Sequence, residues 1–74
     1  MTLNELRPGE RGTIKGFTRD APPIRLLEMG MLPGTVVEVL RLAPLGDPMD
    51  LRLQGYRLSI RLKEAELILV DHKP

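Results

Sequence analysis

The chain has 74 residues and no cysteine, and it carries 11 basic against 10 acidic residues, which gives a formal net charge of +1. This length fits one small domain, taken here as residues 1–74, near the lower size limit for folding without disulfides or metals. The lack of cysteine excludes disulfides and thiolate metal sites, and the near-neutral charge argues against electrostatic capture of nucleic acid or anionic lipid.

The beginning of the chain lacks the basic and then apolar pattern of a secretion signal. The longest strongly apolar run, at residues 67–70, is far too short to span a bilayer. We therefore expect a small cytoplasmic domain.

Seven glycines and seven prolines divide the chain into short segments, which favours β structure. The first predicted strand covers residues 11–18 and the second covers residues 35–42, which are rich in β-branched side chains. A last strand is predicted at residues 66–70, after a single turn at residues 62–65.

Residues 50–62 give the clearest strand signal and predict a β-hairpin that turns at Gln54 and Gly55. With this turn the apolar side chains of both strands lie on one face, so the register is self-consistent. The register consists of the pairs Leu53–Tyr56, Leu51–Leu58 and Met49–Ile60.

One short helix is predicted between the first two strands. It begins near Asp20 as N-cap, has Pro22 and Pro23 in its first turn, and ends with Gly30 at the C′ position. About five short strands and one short α-helix favour a mainly β fold that closes into a small barrel.

The helix carries more apolar side chains than one buried stripe requires. At a helical period, Ile24 and Leu27 lie on one side, whereas Leu26 and Met29 lie on another. Either both stripes are core, or one is exposed and docks a partner, a role that suits the adaptable side chain of methionine. The predicted docking surface consists of Arg25, Leu26, Met29, Met31 and Leu32.

Several of these segments resemble the ferrous iron transport protein A (FeoA) family, and the match extends from about residue 3 to residue 70. Single Pro-Gly turns are common, but several motifs in this order and spacing are specific. The motifs are LRPGE at 6–10 with Gly12, RLLEMGM at 25–31, PGT at 33–35, VEV at 37–39, APLGDP at 43–48 and the Gly55-Tyr56 turn.

The resemblance implies a small cytoplasmic protein with an SH3-like β-barrel and an accessory or regulatory role in bacterial ferrous iron transport. It also implies a partner, FeoB, which is a membrane permease with a cytoplasmic GTPase domain. Related SH3-like domains are associated with transition metals, so a free-standing metal-sensing domain is the first alternative.

Catalysis is not expected from these residues. The chain has one histidine, His72, close to its C-terminal end, and one serine, Ser59, inside a predicted strand, so a nucleophile and its base cannot be paired. Asp47 and Asp50 are interpreted as solvated turn carboxylates.

No built-in metal site or cofactor is expected, because a first-row metal needs three or four ligands. His72 and Asp71 are weak candidates for an adventitious divalent metal, in what we expect to be a flexible tail.

The outward face of the predicted hairpin is basic, with Arg52, Arg57 and Arg61. Arg52 lies across from Arg57, so we expect a counter-charge from Asp50 or Glu38. If this basic face has a function, we expect it to dock on an acidic protein surface. A small RNA-binding barrel is the weaker alternative, because the chain has one phenylalanine and one tyrosine for stacking on bases.

Overall fold

The computed structural model describes residues 1–73. A 3₁₀ helix at Leu3–Glu5 precedes five strands and two short helices. The strands are β1 (Arg11–Phe17), β2 (Val36–Leu42), β3 (Met49–Leu53), β4 (Tyr56–Ile60) and β5 (Ile68–Lys73), and the helices are α1 (Ile24–Glu28) and α2 (Leu62–Ala65).

The five strands form one antiparallel sheet in the order β4-β3-β2-β1-β5, which confirms the predicted mainly β fold. The predicted barrel closure is not made by pairing of β4 with β5, which are the two edges of the sheet. Instead the first residues of the chain occupy the outer side of β5: Val70 donates a backbone hydrogen bond to Met1, and Thr2 bridges to Leu69.

The predicted hairpin is confirmed. Gln54 and Gly55 connect β3 to β4, and Gly55 has a φ of +79°. The three predicted pairs are all observed. The inward face is less uniform than predicted, because Tyr56 is exposed at 46%.

The core is built from alternating side chains of the strands and from the segments that cover the sheet. The following residues are buried: Leu3, Leu6, Ile14, Leu26, Met31, Val37, Val39, Met49, Leu51, Leu53, Ile60, Ala65, Ile68 and Val70. Gly12 lies where β1 approaches β5, and an added Cβ there would come within 3.1 Å of the Asp71 carbonyl oxygen. Glycine therefore fits this strand position for its lack of a side chain.

Helix α1 begins later than predicted, at Ile24, and Pro23 is its N-cap with a φ of −57° and a ψ of 131°. Pro22 and Pro23 thus precede the helix instead of forming its first turn. The reason is that a residue followed by proline is pushed away from the helical region, so Pro22 cannot begin a helix that continues through Pro23. Asp20 lies outside the helix and does not cap it.

Strand β5 extends to Lys73, beyond the predicted end at residue 70. Asp71 pairs with Thr13, and His72 pairs with Gly12. The expectation that Asp71 and His72 belong to a flexible tail is therefore wrong, because both continue the ladder with β1.

Candidate functional site

The end of α1 has the hydrogen bonds of a Schellman motif. The Gly30 N–H donates to the Leu27 carbonyl at 3.0 Å, and the Met31 N–H donates to the Leu26 carbonyl at 3.1 Å. Gly30 has a φ of +93°, as expected for glycine at C′. The predicted end of the helix is therefore confirmed.

Leu26 and Met31 are fully buried, with no exposed surface. Their predicted place on a docking surface is therefore wrong, since neither side chain can reach a partner in this fold. Met29 is half-buried and packs against the core. In the Schellman motif the third residue from the helix end and the second residue beyond it commonly make a hydrophobic contact, and here these residues are Leu26 and Met31.

The opposite stripe of α1 is exposed. Ile24 is 69% exposed, Leu27 is 37% exposed, and Leu32 in the following turn is 49% exposed. We call these three side chains the α1 surface. The prediction correctly separated two stripes on the helix, but it assigned the buried role to the wrong one, while Leu32 is exposed as predicted.

Arg25 is exposed and lies beside the α1 surface in the same helix. Its guanidinium Nη1 forms an ion pair with Glu64 Oε2 of α2. The same Glu64 side chain accepts a hydrogen bond from the Arg61 backbone at 2.9 Å through Oε1. Arg25 therefore connects the two short helices and places an ion pair next to the exposed apolar side chains.

The outward face of the hairpin is basic, as predicted, and Arg52 lies opposite Arg57. Arg52 has a distant counter-charge in Glu38, with 3.9 Å between Nη1 and Oε1. The predicted counter-charge is thus confirmed for Glu38, and Asp50, which is ion-paired with Arg41, also interacts electrostatically with Arg57.

Asp50 is held by two neighbours on the outer face of the sheet. Its Oδ2 accepts a hydrogen bond from Arg41 Nε at 2.7 Å, and its Oδ1 accepts one from the Ser59 hydroxyl at 2.5 Å. The Ser59 hydroxyl and then Arg41 lower the pKa of the Asp50 carboxyl below its ordinary value. An open cleft of ≈ 430 Å³ is lined by Leu40, Arg41, Asp50, Arg57, Leu58 and Ser59.

The two weak metal candidates do not act together. Asp71 and His72 are consecutive in β5, so their side chains point to opposite faces of the sheet. Asp71 lies 3.7 Å from the Lys15 ammonium, whereas His72 Nε2 lies 3.3 Å from Glu10 Oε2. Within residues 1–73 no three histidine or acidic side chains are grouped so that they could hold a metal ion.

None of the helices formed by residues 1–73 has the length and apolar character needed to cross a membrane.

Comparison with known proteins identifies the family. The FeoA domain model matches residues 1–72. A fusion of Fe(2+) transport protein A with the Fe(2+) transporter FeoB from Porphyromonas gingivalis is 36% identical over 76 residues. The alignment covers 96% of this chain but 8% of that protein, so the chain spans less than a tenth of its relative.

Solved structures give the same result. A FeoA-like protein from Clostridium acetobutylicum is 36% identical with a TM-score of 0.89, over 97% of this chain and 85% of that chain. FeoA from Stenotrophomonas maltophilia, a prokaryotic SH3 domain protein complexed with zinc, is 29% identical with a TM-score of 0.79, over 96% of this chain and 89% of that chain. The chain therefore belongs to the FeoA family, which is linked to ferrous iron transport, and its fold is SH3-like.

Proposed function

We propose that this chain is a non-enzymatic accessory module that regulates ferrous iron transport by docking on the cytoplasmic part of a FeoB permease. The observation that carries the proposal is the Porphyromonas gingivalis relative, in which a similar segment and FeoB belong to one polypeptide. A fusion of this kind keeps two domains at high effective concentration. Separate chains need a contact surface to achieve the same association.

The α1 surface is the best candidate for that contact. Ile24, Leu27 and Leu32 are exposed apolar side chains on one short helix and the turn that follows it. Exposed apolar side chains of this kind, flanked by charge such as Arg25, are typical of protein interaction sites. The Schellman hydrogen bonds hold the turn in a fixed geometry, so Leu32 is presented together with the helix.

The experiment is a binding titration of the cytoplasmic domain of FeoB with variants of the α1 surface. Ile24→Asp and Leu27→Asp should each weaken binding about tenfold or more, because an anchor residue contributes more than about 1 kcal/mol. Ile24→Asp should melt close to the wild type, because that side chain is 69% exposed, whereas Leu27→Asp should melt somewhat lower, because Leu27 is 37% exposed and the rest of its surface is covered.

Leu45→Asp is the matched control, since Leu45 is an apolar side chain, 95% exposed, on the loop between β2 and β3. It should bind like the wild type. Equal weakening by Leu45→Asp and Ile24→Asp would place the contact elsewhere, and a wild-type affinity for every variant would remove the α1 surface from the proposal.

The proposed absence of catalysis is supported by the positions of the two residues that could form a nucleophile pair. The Ser59 hydroxyl donates to Asp50 on one side of the sheet, and His72 belongs to β5 at the opposite edge. A serine nucleophile needs a base within hydrogen-bond reach, and the group within reach of Ser59 is the Asp50 carboxylate, whose lowered pKa makes it a poor proton acceptor. We accordingly propose a binding role in the cytoplasm, where the GTPase domain of the permease lies.

Zinc in the Stenotrophomonas maltophilia relative makes metal binding the second candidate. In this chain Glu10 and His72 bring together one carboxylate and one imidazole. A structural zinc site has four protein ligands and a catalytic site has three. We propose that this chain has no resident metal cofactor, and that any zinc or ferrous ion bound here is adventitious or shared with another molecule.

A further inference from the structure

The two edge strands of the sheet, β5 and β4, differ in whether other residues of the chain cover them. The outer side of β5 is occupied by the N-terminal residues, with a hydrogen bond from Val70 to Met1 and a bridge between Thr2 and Leu69. The outer side of β4 has no such cover, since β3 is the one strand that pairs with it in the described sheet. Alternate residues of an antiparallel edge strand direct their N–H and C=O groups away from the partner strand. Over residues 1–73, no backbone group of β4 has a hydrogen-bond partner outside the ladder with β3.

The side chains along this edge alternate in a simple pattern. Arg57 and Ser59 lie on the outer face of the sheet, followed by Arg61 just after the strand. Leu58 lies on the inner face opposite the buried Leu51, and it is half-buried and packs against the core. An added strand would therefore have arginine beside its outer side chains and leucine beside its inner side chains.

The positive charge of this edge is offset in part, because the Asp50 carboxylate interacts electrostatically with Arg57. Arg41 is paired with Asp50, and Arg52 lies near Glu38. By contrast, the side chains of Arg57 and Arg61 make neither a hydrogen bond nor an ion pair with any part of residues 1–73. Two exposed guanidinium groups thus lie along a row of backbone groups that can still form hydrogen bonds.

We propose that the open edge of β4 binds an extended segment of a partner protein in which acidic and apolar residues alternate. The segment adds a sixth strand beside β4 through backbone hydrogen bonds. Its carboxylates lie near Arg57 and Arg61, and an apolar side chain covers Leu58. This surface is separate from the α1 surface and does not depend on the identity of the transporter.

The positive charge of Arg57 and Arg61 favours an acidic segment at this edge over a second copy of the chain. Arginine on an edge strand discourages association of identical edges. Pairing of two β4 strands in antiparallel orientation would bring Arg57 and Arg61 of both copies into one row, and like charges across a ladder are destabilising. An acidic segment reverses the sign of this interaction.

The experiment titrates the ¹⁵N-labelled full chain with the acetylated and amidated heptapeptide EVEVEVE and follows the amide resonances. We expect shifts that concentrate on residues 56–61, together with slower hydrogen exchange of the outward amides of β4. Arg57→Glu and Arg61→Glu should each weaken binding about tenfold, the size of a lost charge-assisted contact. Arg19→Glu is the matched control, because it makes the same charge change at an exposed arginine between β1 and α1, and it should bind like the wild type.

Two control peptides separate the contribution of backbone pairing from the contribution of charge. The same peptide with every backbone nitrogen methylated has no N–H groups to pair with β4 and should not bind, and neither should KVKVKVK. Arg57→Glu should fold well, since it replaces a like-charge pair with Arg52 by an opposite-charge pair. If that variant is unfolded, Arg57→Gln replaces it in the titration.

Four outcomes would overturn the proposal: no binding of EVEVEVE, equal binding of the methylated peptide, equal binding of the lysine peptide, or shifts of β4 with protein concentration alone. The last result would indicate a second copy at this edge. None of these results bears on the α1 surface, because the titration contains no transporter.

Discussion

Tyr56 donates a hydrogen bond from its hydroxyl group to the Met29 carbonyl oxygen, 2.8 Å away. This contact joins the start of β4 to the C-terminal end of α1, and the two residues are 27 positions apart in the chain. Tyr56 is exposed at 46% although the hairpin pattern places it on the inner face, and its hydroxyl reaches the helix end. The Tyr56 hydroxyl thus holds the helix end that precedes Leu32 of the α1 surface.

Tyr56→Phe removes this hydrogen bond and keeps the ring. We expect the free energy of unfolding to fall by about 0.5–1.5 kcal/mol, the usual net contribution of such a bond. Urea denaturation measures the change. Tyr56→Ala, which also removes the packing of the ring, should cost more, and a Phe variant as stable as the wild type would assign the whole contribution to the ring.

Gly30→Ala introduces a side chain at a φ of +93°, where its Cβ would also collide with the Tyr56 hydroxyl. The left-handed conformation alone costs roughly 1–2 kcal/mol for a residue with a Cβ, and the collision adds to this. Gly9→Ala is the matched control, because Gly9 has a φ of +89° and open space around its Cβ position. Thermal melting of both variants should show the larger loss for Gly30→Ala, and equal losses would mean that the collision relaxes without cost.

The two stripes of α1 should differ in their contribution to stability. Leu26→Ala and Met31→Ala remove fully buried side chains and should each reduce the free energy of unfolding by roughly 2–5 kcal/mol. Leu27→Ala and Leu32→Ala truncate exposed side chains, so each should cost less than about 1 kcal/mol. Chemical denaturation of the four variants decides the matter, and equal costs for the two groups would contradict the observed burial.

Asp50 should make the stability depend on pH in acid. Its folded-state pKa is lowered, chiefly by the Ser59 hydroxyl and then by Arg41, so its contribution is fully present above the pKa of the unfolded chain, about 3.9. The contribution is lost as the pH falls through the lower folded-state value. The difference in melting temperature between the wild type and Asp50→Asn should therefore be constant near neutral pH and shrink below about pH 4.

Asp20→Asn is the control for that series, because Asp20 is exposed and makes no hydrogen bond within residues 1–73. A difference between the wild type and Asp50→Asn that grows as the pH falls would reverse the assigned direction of the pKa shift.

Metal should not stabilise the chain. Because His72 and Glu10 provide two ligands, fewer than zinc requires, melting should be the same with chelator and with one equivalent of zinc or ferrous ion. His72→Ala should leave both curves unchanged. A rise in melting temperature with metal that His72→Ala abolishes would instead establish a site at this pair.

The local pattern of the sequence determined the strands and the hairpin register. The alternation in residues 50–62 admits one register, because a slip by one residue would move every apolar side chain to the wrong face. Glycine at position 30 determined the end of α1 in the same local way, since few other residues adopt its φ. The motifs of the chain also identified the family, which the match over residues 1–72 confirms.

Only the tertiary structure decided which stripe of α1 is buried. A helix of five residues carries apolar side chains on two sides, and its own periodicity cannot tell which side the sheet will cover. Contacts with distant strands settled which side is covered. Long-range contacts also placed His72 Nε2 3.3 Å from Glu10 Oε2 of another segment. The tertiary structure likewise decided that the N-terminal residues cover the edge at β5 and not the edge at β4, because strand order is set by long-range packing and not by local patterns.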